Sequence, residues 1–137
     1  MTYLIDTNVI SEFQRKAPAA RVIDWLNERP ASSLYLSVLT IGEIRKGIET
    51  DADPSRRLRL LDWLEVQLPA FFAGRVLSID TTVAQRWGQL VADAGRPLPA
   101  IDSLLAATAL AYGMVLVTRN TKDVDGLGLQ VFNPWAP

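Results

Sequence analysis

Short, continuous apolar runs alternate along the chain with longer segments in which apolar residues recur every three or four positions. The runs are too short for helices and predict strands at residues 3–5, 34–36, 76–79, 114–117 and 130–132. Because their apolar residues are continuous and do not alternate with polar ones, the strands are expected to be buried on both faces. This is typical of a parallel sheet that is covered by helices on each side.

The segments between these strands have the period of amphipathic helices. Strand–helix alternation without a repeat or a linker predicts an α/β sandwich in which residues 1–137 form one domain. The predicted helices lie around residues 22–26, 41–48, 58–68, 83–94 and 101–112. Ser37 or Thr40 is expected to cap the helix at 41–48, and Asp80 the helix at 83–94. Pro69 is expected to close the helix at 58–68, and Gly95 and Gly113 to end the helices at 83–94 and 101–112.

Composition narrows the possible chemistry. The chain has 137 residues, of which 49% are hydrophobic and 21% are charged, and this balance is typical of a globular protein. No apolar run approaches a membrane span and no signal-peptide pattern is present, so we expect a cytoplasmic protein that does not enter membranes. The absence of cysteine and histidine excludes thiolate metal sites, disulfides and catalysis by imidazole.

Polar side chains follow the predicted strands at the point where each strand ends. Asp6 comes directly after the first strand, Asn120 follows the fourth, Asp102 begins the alanine-rich helix, and Glu43 lies outside the apolar stripe of its helix. Ligands of parallel α/β sheets bind at the carboxyl ends of the strands, so these side chains could meet there. Oxygen-only ligands favour Mg²⁺ or Mn²⁺, and such an ion would offset carboxylate repulsion and activate water against a phosphodiester.

Each of these residues also has a simpler explanation when it is considered alone. Asp6 and Asp102 could be helix N-caps, and Asn120 could be an ordinary turn residue. Glu43 could face solvent beside Lys46. The residues alone therefore leave both a metal site and a set of caps and surface positions open.

The chain resembles the PIN-domain ribonucleases, and more narrowly the VapC toxins with their FitB-like branch, in four segments: LIDTNVIS, LSVLTIGEIRKGIE, IDSLLAATALAYGMVLVTRNTKDV and VFNPW. The segments occur in the family's order and spacing, and they extend from Leu4 to Trp135. The resemblance implies a PIN-like three-layer sandwich with a central, mostly parallel sheet flanked by helices.

The resemblance also implies roles for individual residues. Asp6, Glu43 and Asp102 match the acidic metal ligands of the family, and Asn120 matches a fourth catalytic position that is Asp or Asn. Asp123 is a second candidate for completing the site. Hydrogen bonds from two further residues, Thr7 and Asn8, are expected to orient Asp6 and line the pocket.

Members of this family are endoribonucleases that use Mg²⁺ or Mn²⁺ and cut structured RNA such as tRNA. The resemblance therefore implies an RNA substrate, a VapB-like antitoxin that occludes the pocket, and a homodimer that could join a larger complex with the antitoxin. Basic residues near the acidic positions could bind RNA phosphates or could form a solvated surface; these are Arg45, Lys46 and Arg119.

Two other classes of enzyme or signalling domain also place an aspartate after the first strand, and the sequence does not fit them. Phosphoryl transfer of the haloacid-dehalogenase kind requires a second aspartate where Asn8 stands, and a response-regulator receiver requires an acidic pair that the chain lacks. An inactive PIN-like module that binds RNA or protein is a further alternative. The intact carboxylates argue against that module, whereas the neutral Asn120 leaves it open.

Overall fold

A computed structural model describes all 137 residues of the chain. Its centre is a five-stranded sheet in which every neighbouring pair of strands is parallel, with the order β3-β2-β1-β4-β5. The strands are β1 (Tyr3–Ile5), β2 (Leu34–Ser37), β3 (Val76–Leu77), β4 (Val115–Val117) and β5 (Val131–Phe132). The predicted strands and the parallel sheet are therefore confirmed.

Helices connect the strands and cover both faces of the sheet. None of them is long and apolar enough to cross a lipid bilayer. Short 3-10 turns occur at Ser11–Gln14, Ala31–Ser33 and Thr121–Val124. The α-helices are α1 (Thr7–Ile10), α2 (Ala20–Asn27), α3 (Val38–Glu49), α4 (Pro54–Asp62), α5 (Leu68–Phe71), α6 (Thr81–Ala94) and α7 (Ala100–Tyr112).

The two faces of the sheet carry separate apolar cores. Successive residues of β1 point to opposite faces, so Leu4 joins one core and Ile5 joins the other. The Ile5 core includes residues of α2 and α3 and the helical segment around Trp63, and the Leu4 core includes residues of α6 and α7. The arrangement is the expected three-layer sandwich, and it places β1 at the centre of the sheet.

The structure decides one alternative that the sequence left open and corrects two details of the prediction. Ser37, and not Thr40, caps α3, because its hydroxyl accepts a hydrogen bond from the Leu39 N–H at 3.1 Å. The third strand ends at Leu77, two residues before the predicted end. Pro69 does not close its helix. A π-helical turn at Trp63–Gln67 widens the backbone before α5, so the missing N–H of the proline is accommodated and the helix continues.

Several predicted helix ends are confirmed. Asp80 caps α6 by accepting a hydrogen bond from the Val83 N–H at 2.9 Å, and it also accepts one from the Tyr112 hydroxyl. Gly95 and Gly113 end α6 and α7 in left-handed conformations, with φ of 67° and 64°. These ends fix where α7 begins and where the chain re-enters the sheet as β4.

Candidate active site

Asp6 is the residue immediately after the central strand β1. Its backbone N–H donates to the Val117 carbonyl at 2.9 Å, and the residue is only 5% exposed. The carboxylate accepts two hydrogen bonds of 2.7 Å, one from the Thr7 N–H and one from the Thr118 hydroxyl. Asp6 is thus the N-cap of α1, as the simpler explanation held, and it is also locked at the carboxyl end of the sheet.

Glu43 approaches Asp6 from the neighbouring strand and helix. The chain leaves β2, which pairs with β1, and enters α3, where Glu43 is half-buried. Its Oε1 accepts a hydrogen bond of 2.6 Å from the Thr7 hydroxyl. Thr7 therefore binds Asp6 through its backbone and Glu43 through its side chain. Glu43 forms no ion pair with Lys46, and the solvent-facing explanation for Glu43 is wrong.

Asp102 occupies the first turn of α7, whose N-cap is Pro99, so the explanation of Asp102 as an N-cap is wrong. Burial raises the pKa of Asp102 to about 6, and the negative charges of Asp6, Asp123 and Glu43 and a hydrogen bond with Asp123 contribute to this shift. Burial likewise raises the pKa of Asp6, although the hydrogen bonds from Thr118 and Thr7 oppose the shift. The structure thus brings Asp6, Glu43 and Asp123 close enough to Asp102 to raise the pKa of that carboxyl.

Asp123 and Asn120 differ in their relation to this cluster. Asn120 is exposed, and only its backbone is engaged: its N–H donates to the Thr118 hydroxyl at 3.0 Å and its carbonyl accepts from the Asp123 N–H at 3.3 Å. Asp123 belongs to the 3-10 turn that follows, and it lies close enough to Asp102 to raise the pKa of that carboxyl. Asp123 is therefore the fourth carboxylate near Asp102, whereas the family motif matches Asn120 to the fourth catalytic position.

Sequence reasoning missed Thr118, which is 2% exposed and bonded to Asp6. A usable signal existed, because Thr118 follows β4 in the same way that Asp6 follows the neighbouring β1. Asn8 was expected to orient Asp6. Its amide oxygen instead accepts a long hydrogen bond of 3.5 Å from the Arg119 N–H, which links α1 to the segment after β4.

The candidate RNA-binding residues fall into different environments. Arg45 forms ion pairs with Glu49 at 2.9 Å and Glu65 at 3.1 Å, so its charge is already compensated on a solvated helix surface. Lys46 is exposed and forms no ion pair. The guanidinium carbon of Arg119 lies 4.8 Å from the centre of the Trp135 ring and is likewise free of ion pairs.

The donor set fits a hard divalent cation. Every candidate ligand is a carboxylate oxygen, and burial of several carboxylates together creates repulsion that a cation would relieve. No three acidic side chains are arranged in this conformation to hold an ion together. The fit therefore rests on the chemistry of the donors and on the electrostatics of the cluster.

Comparisons with known proteins agree with this architecture. The family model described as "PIN domain" matches residues 3–125. The plasmid stability protein StbB of Pseudomonas syringae pv. tomato is 42% identical over 96% of this chain and 97% of its own length. The VapC ribonuclease Y4jK of Sinorhizobium fredii is 35% identical over 98% of both chains, and the toxin FitB of Neisseria gonorrhoeae is 36% identical over 96% and 97%.

The crystal structure of FitAcB from Neisseria gonorrhoeae contains a similar chain. It superposes with a TM-score of 0.92 and 34% sequence identity, and the match covers 99% of this chain and 100% of that one. The shared sheet, the family match over residues 3–125 and the identity along the whole length agree with one another. The chain belongs to the PIN-domain family.

Proposed function

We propose that this protein is a divalent-metal-dependent endoribonuclease that acts as the toxin of a toxin–antitoxin pair. The observation that carries the proposal is the group of Asp6, Glu43, Asp102 and Asp123, drawn from four segments to one end of the sheet. Two threonines hold the first two carboxylates in place. Similar proteins named VapC ribonuclease and toxin FitB support both parts of this assignment.

Asp6, Glu43 and Asp102 are the residues proposed to hold the cation, which we take to be Mg²⁺ or Mn²⁺, and Asp123 completes the acidic group beside Asp102. When bound there, such an ion supplies an activated water and stabilises the charge that develops on the phosphodiester oxygens. The chain's own contribution is to hold these oxygens at fixed positions and to keep part of the site away from bulk water.

Thr118 and Thr7 perform the positioning. The Thr118 hydroxyl and the Thr7 N–H each donate to Asp6, and both bonds favour the ionised carboxylate. Burial and neighbouring charge favour the protonated form of Asp102. Protons and a cation therefore compete for the same oxygens, and cation binding should strengthen as the pH rises through about 6.

The proposal includes partners as well as a reaction. RNA, with structured RNA such as tRNA as the first candidate, is the substrate, and a VapB-like antitoxin is the inhibitor. We further propose that residues 1–137 act as one PIN domain, that the protein forms a homodimer and that it works in the cytoplasm. An inactive binding module is the weaker alternative, because Asp123 supplies the acidic group that Asn120 lacks.

Cleavage of purified RNA in the presence of Mg²⁺ or Mn²⁺ tests the proposal. We expect cleavage that stops on chelation and falls by more than about 100-fold in Asp6→Asn, beyond the loss typical of residues that only orient a ligand. Asp24→Asn is the matched control, because Asp24 is exposed on α2 and outside the cluster. Cleavage that persists in Asp6→Asn would contradict the proposal, and metal-independent RNA binding without cleavage would favour the binding module.

A further inference from the structure

We infer that Arg119, ordered on the ring of Trp135, binds an RNA phosphate next to the one that is cleaved. This inference rests on the proposed ribonuclease function and adds to it a residue that orients the substrate. It starts from the different environments of two candidate basic side chains: Arg45 forms ion pairs with Glu49 and Glu65, whereas Arg119 forms none and lies against Trp135.

Arg119 is fixed directly beside the cluster by its backbone. The preceding residue, Thr118, donates its hydroxyl to Asp6 at 2.7 Å, and the Arg119 N–H donates to the Asn8 amide oxygen at 3.5 Å. Consecutive Cα atoms are about 3.8 Å apart, so the Arg119 backbone is within one residue of the pocket wall. A nucleotide chain that leaves the pocket on this side meets the surface to which Arg119 belongs.

The side chain of Arg119 is ordered but electrostatically free. Its guanidinium carbon lies 4.8 Å from the centre of the Trp135 ring, and Trp135 is itself half-buried against the core. The backbone N–H of Trp135 donates to the Asn133 side-chain oxygen at 2.9 Å, which orders the backbone that carries the ring. None of the six ion pairs in the structure includes Arg119. A stacked guanidinium keeps its N–H donors at the edge of the plane and loses little entropy when it binds phosphate.

The charge of the neighbouring pocket explains why a phosphate is the expected ligand. RNA must bring a negatively charged backbone to a site that contains four carboxylates. A cation inside the pocket compensates the phosphate that reacts but leaves the adjacent phosphates facing negative charge. A free arginine at the rim supplies the missing attraction and fixes the register of the strand. Stacking of a base on Trp135 is the weaker choice, because Arg119 covers one side of the ring and the core covers part of the rest.

Equilibrium RNA binding by variants in the Asp6→Asn background tests this inference without cleavage. We expect Arg119→Gln to weaken binding about 3- to 10-fold and to lower the slope of log K against log salt by about one. Arg119→Lys should restore the slope but not the full affinity, because lysine keeps the charge and loses the planar stack. Trp135→Leu should leave the slope unchanged and weaken binding less than Arg119→Gln.

Arg59→Gln is the matched control, because Arg59 is an exposed arginine of α4 that forms no ion pair. It should change neither the affinity nor the slope. An unchanged salt slope in Arg119→Gln would overturn the inference. Weaker Mn²⁺ binding by Arg119→Gln made alone, with Asp6 intact, would also overturn it, since the residue would then act through the pocket. Failure of the proposed function appears separately, as a wild-type protein that does not cleave RNA. A cleaving protein whose kcat/KM is unaffected by Arg119→Gln would overturn the inference alone.

Discussion

The hydroxyl of Thr118 donates a 2.7 Å hydrogen bond to the carboxylate of Asp6, joining residues 112 positions apart in the chain. The same hydroxyl accepts a hydrogen bond from the Asn120 N–H at 3.0 Å. Thr118→Val keeps the shape of the side chain but leaves one buried acceptor and one backbone donor without a partner. We expect the free energy of unfolding to fall by about 1–3 kcal/mol and cation affinity to fall about 10- to 100-fold.

Mn²⁺ titration and thermal unfolding of the same samples separate these two effects. Thr118→Ser retains the hydroxyl and should recover most of the cation affinity. Loss of Asp6 stabilisation also raises the pKa of that carboxyl, because the Thr118 hydrogen bond lowers it. The defect of Thr118→Val in cation binding should therefore diminish at higher pH. A valine variant that binds Mn²⁺ as tightly as the wild type would show that the hydrogen bond does not position Asp6.

Asp123 and Asn120 should contribute differently to activity. Asp123 contacts the carboxyl of Asp102, whereas the Asn120 side chain is exposed and forms no hydrogen bond. We expect Asp123→Asn to lower kcat/KM about 10- to 100-fold, within the range seen for groups that orient metal ligands. Asn120→Ala should change it less than threefold. The reverse order of effects, measured on one RNA substrate with saturating Mg²⁺, would return the fourth catalytic position to Asn120.

Much of this arrangement was accessible from the sequence, and the exceptions have physical causes. Asp6 could be placed because a continuous apolar strand stops abruptly on it, and parallel neighbours end at the same edge of a sheet. Thr118 escaped notice because it carries no charge and its partner is distant in the chain. The contact between Asp123 and Asp102 depends on a 3-10 turn, and a polar four-residue segment has no apolar period that would predict it.

The acidic cluster should make the metal-free protein sensitive to pH. The pKa of Asp102 is about 6 in the folded chain and 3.8 for an ordinary aspartate, so the folded state favours the protonated form. Its stabilising effect is complete below about pH 4 and disappears as the pH rises through 6. In the presence of a chelator, we expect Tm to rise as the pH falls from 7 to 5.

Asp102→Asn isolates this contribution, because the amide resembles a carboxyl that never ionises. At pH 7 without metal, the asparagine variant should unfold at a higher temperature than the wild type, and the difference should shrink towards pH 5. The hydrogen bond from Arg56 lowers the pKa of Asp51 to about 2, so Asp51 titrates well below this window and does not contribute to the change in Tm between pH 5 and pH 7. A wild type that is more stable than Asp102→Asn at pH 7 under chelation would contradict the predicted repulsion.

Replacing Thr40 with valine should have the opposite effect on stability from replacing Thr118 with valine. Both threonines are buried, at 0% and 2% exposure, but the Thr40 hydroxyl has no hydrogen-bond partner. A buried hydroxyl without a partner costs free energy, and replacing it with a methyl group removes that cost while the volume stays nearly constant. We therefore expect Thr40→Val to raise the free energy of unfolding by about 1 kcal/mol.

Thr40 lies one turn before Glu43 in α3, so Mn²⁺ affinity reports whether the helix has shifted in the variant. We expect that affinity to stay unchanged. Chemical denaturation of both valine variants decides the matter: destabilisation by Thr40→Val would mean that its hydroxyl binds a buried water or another partner.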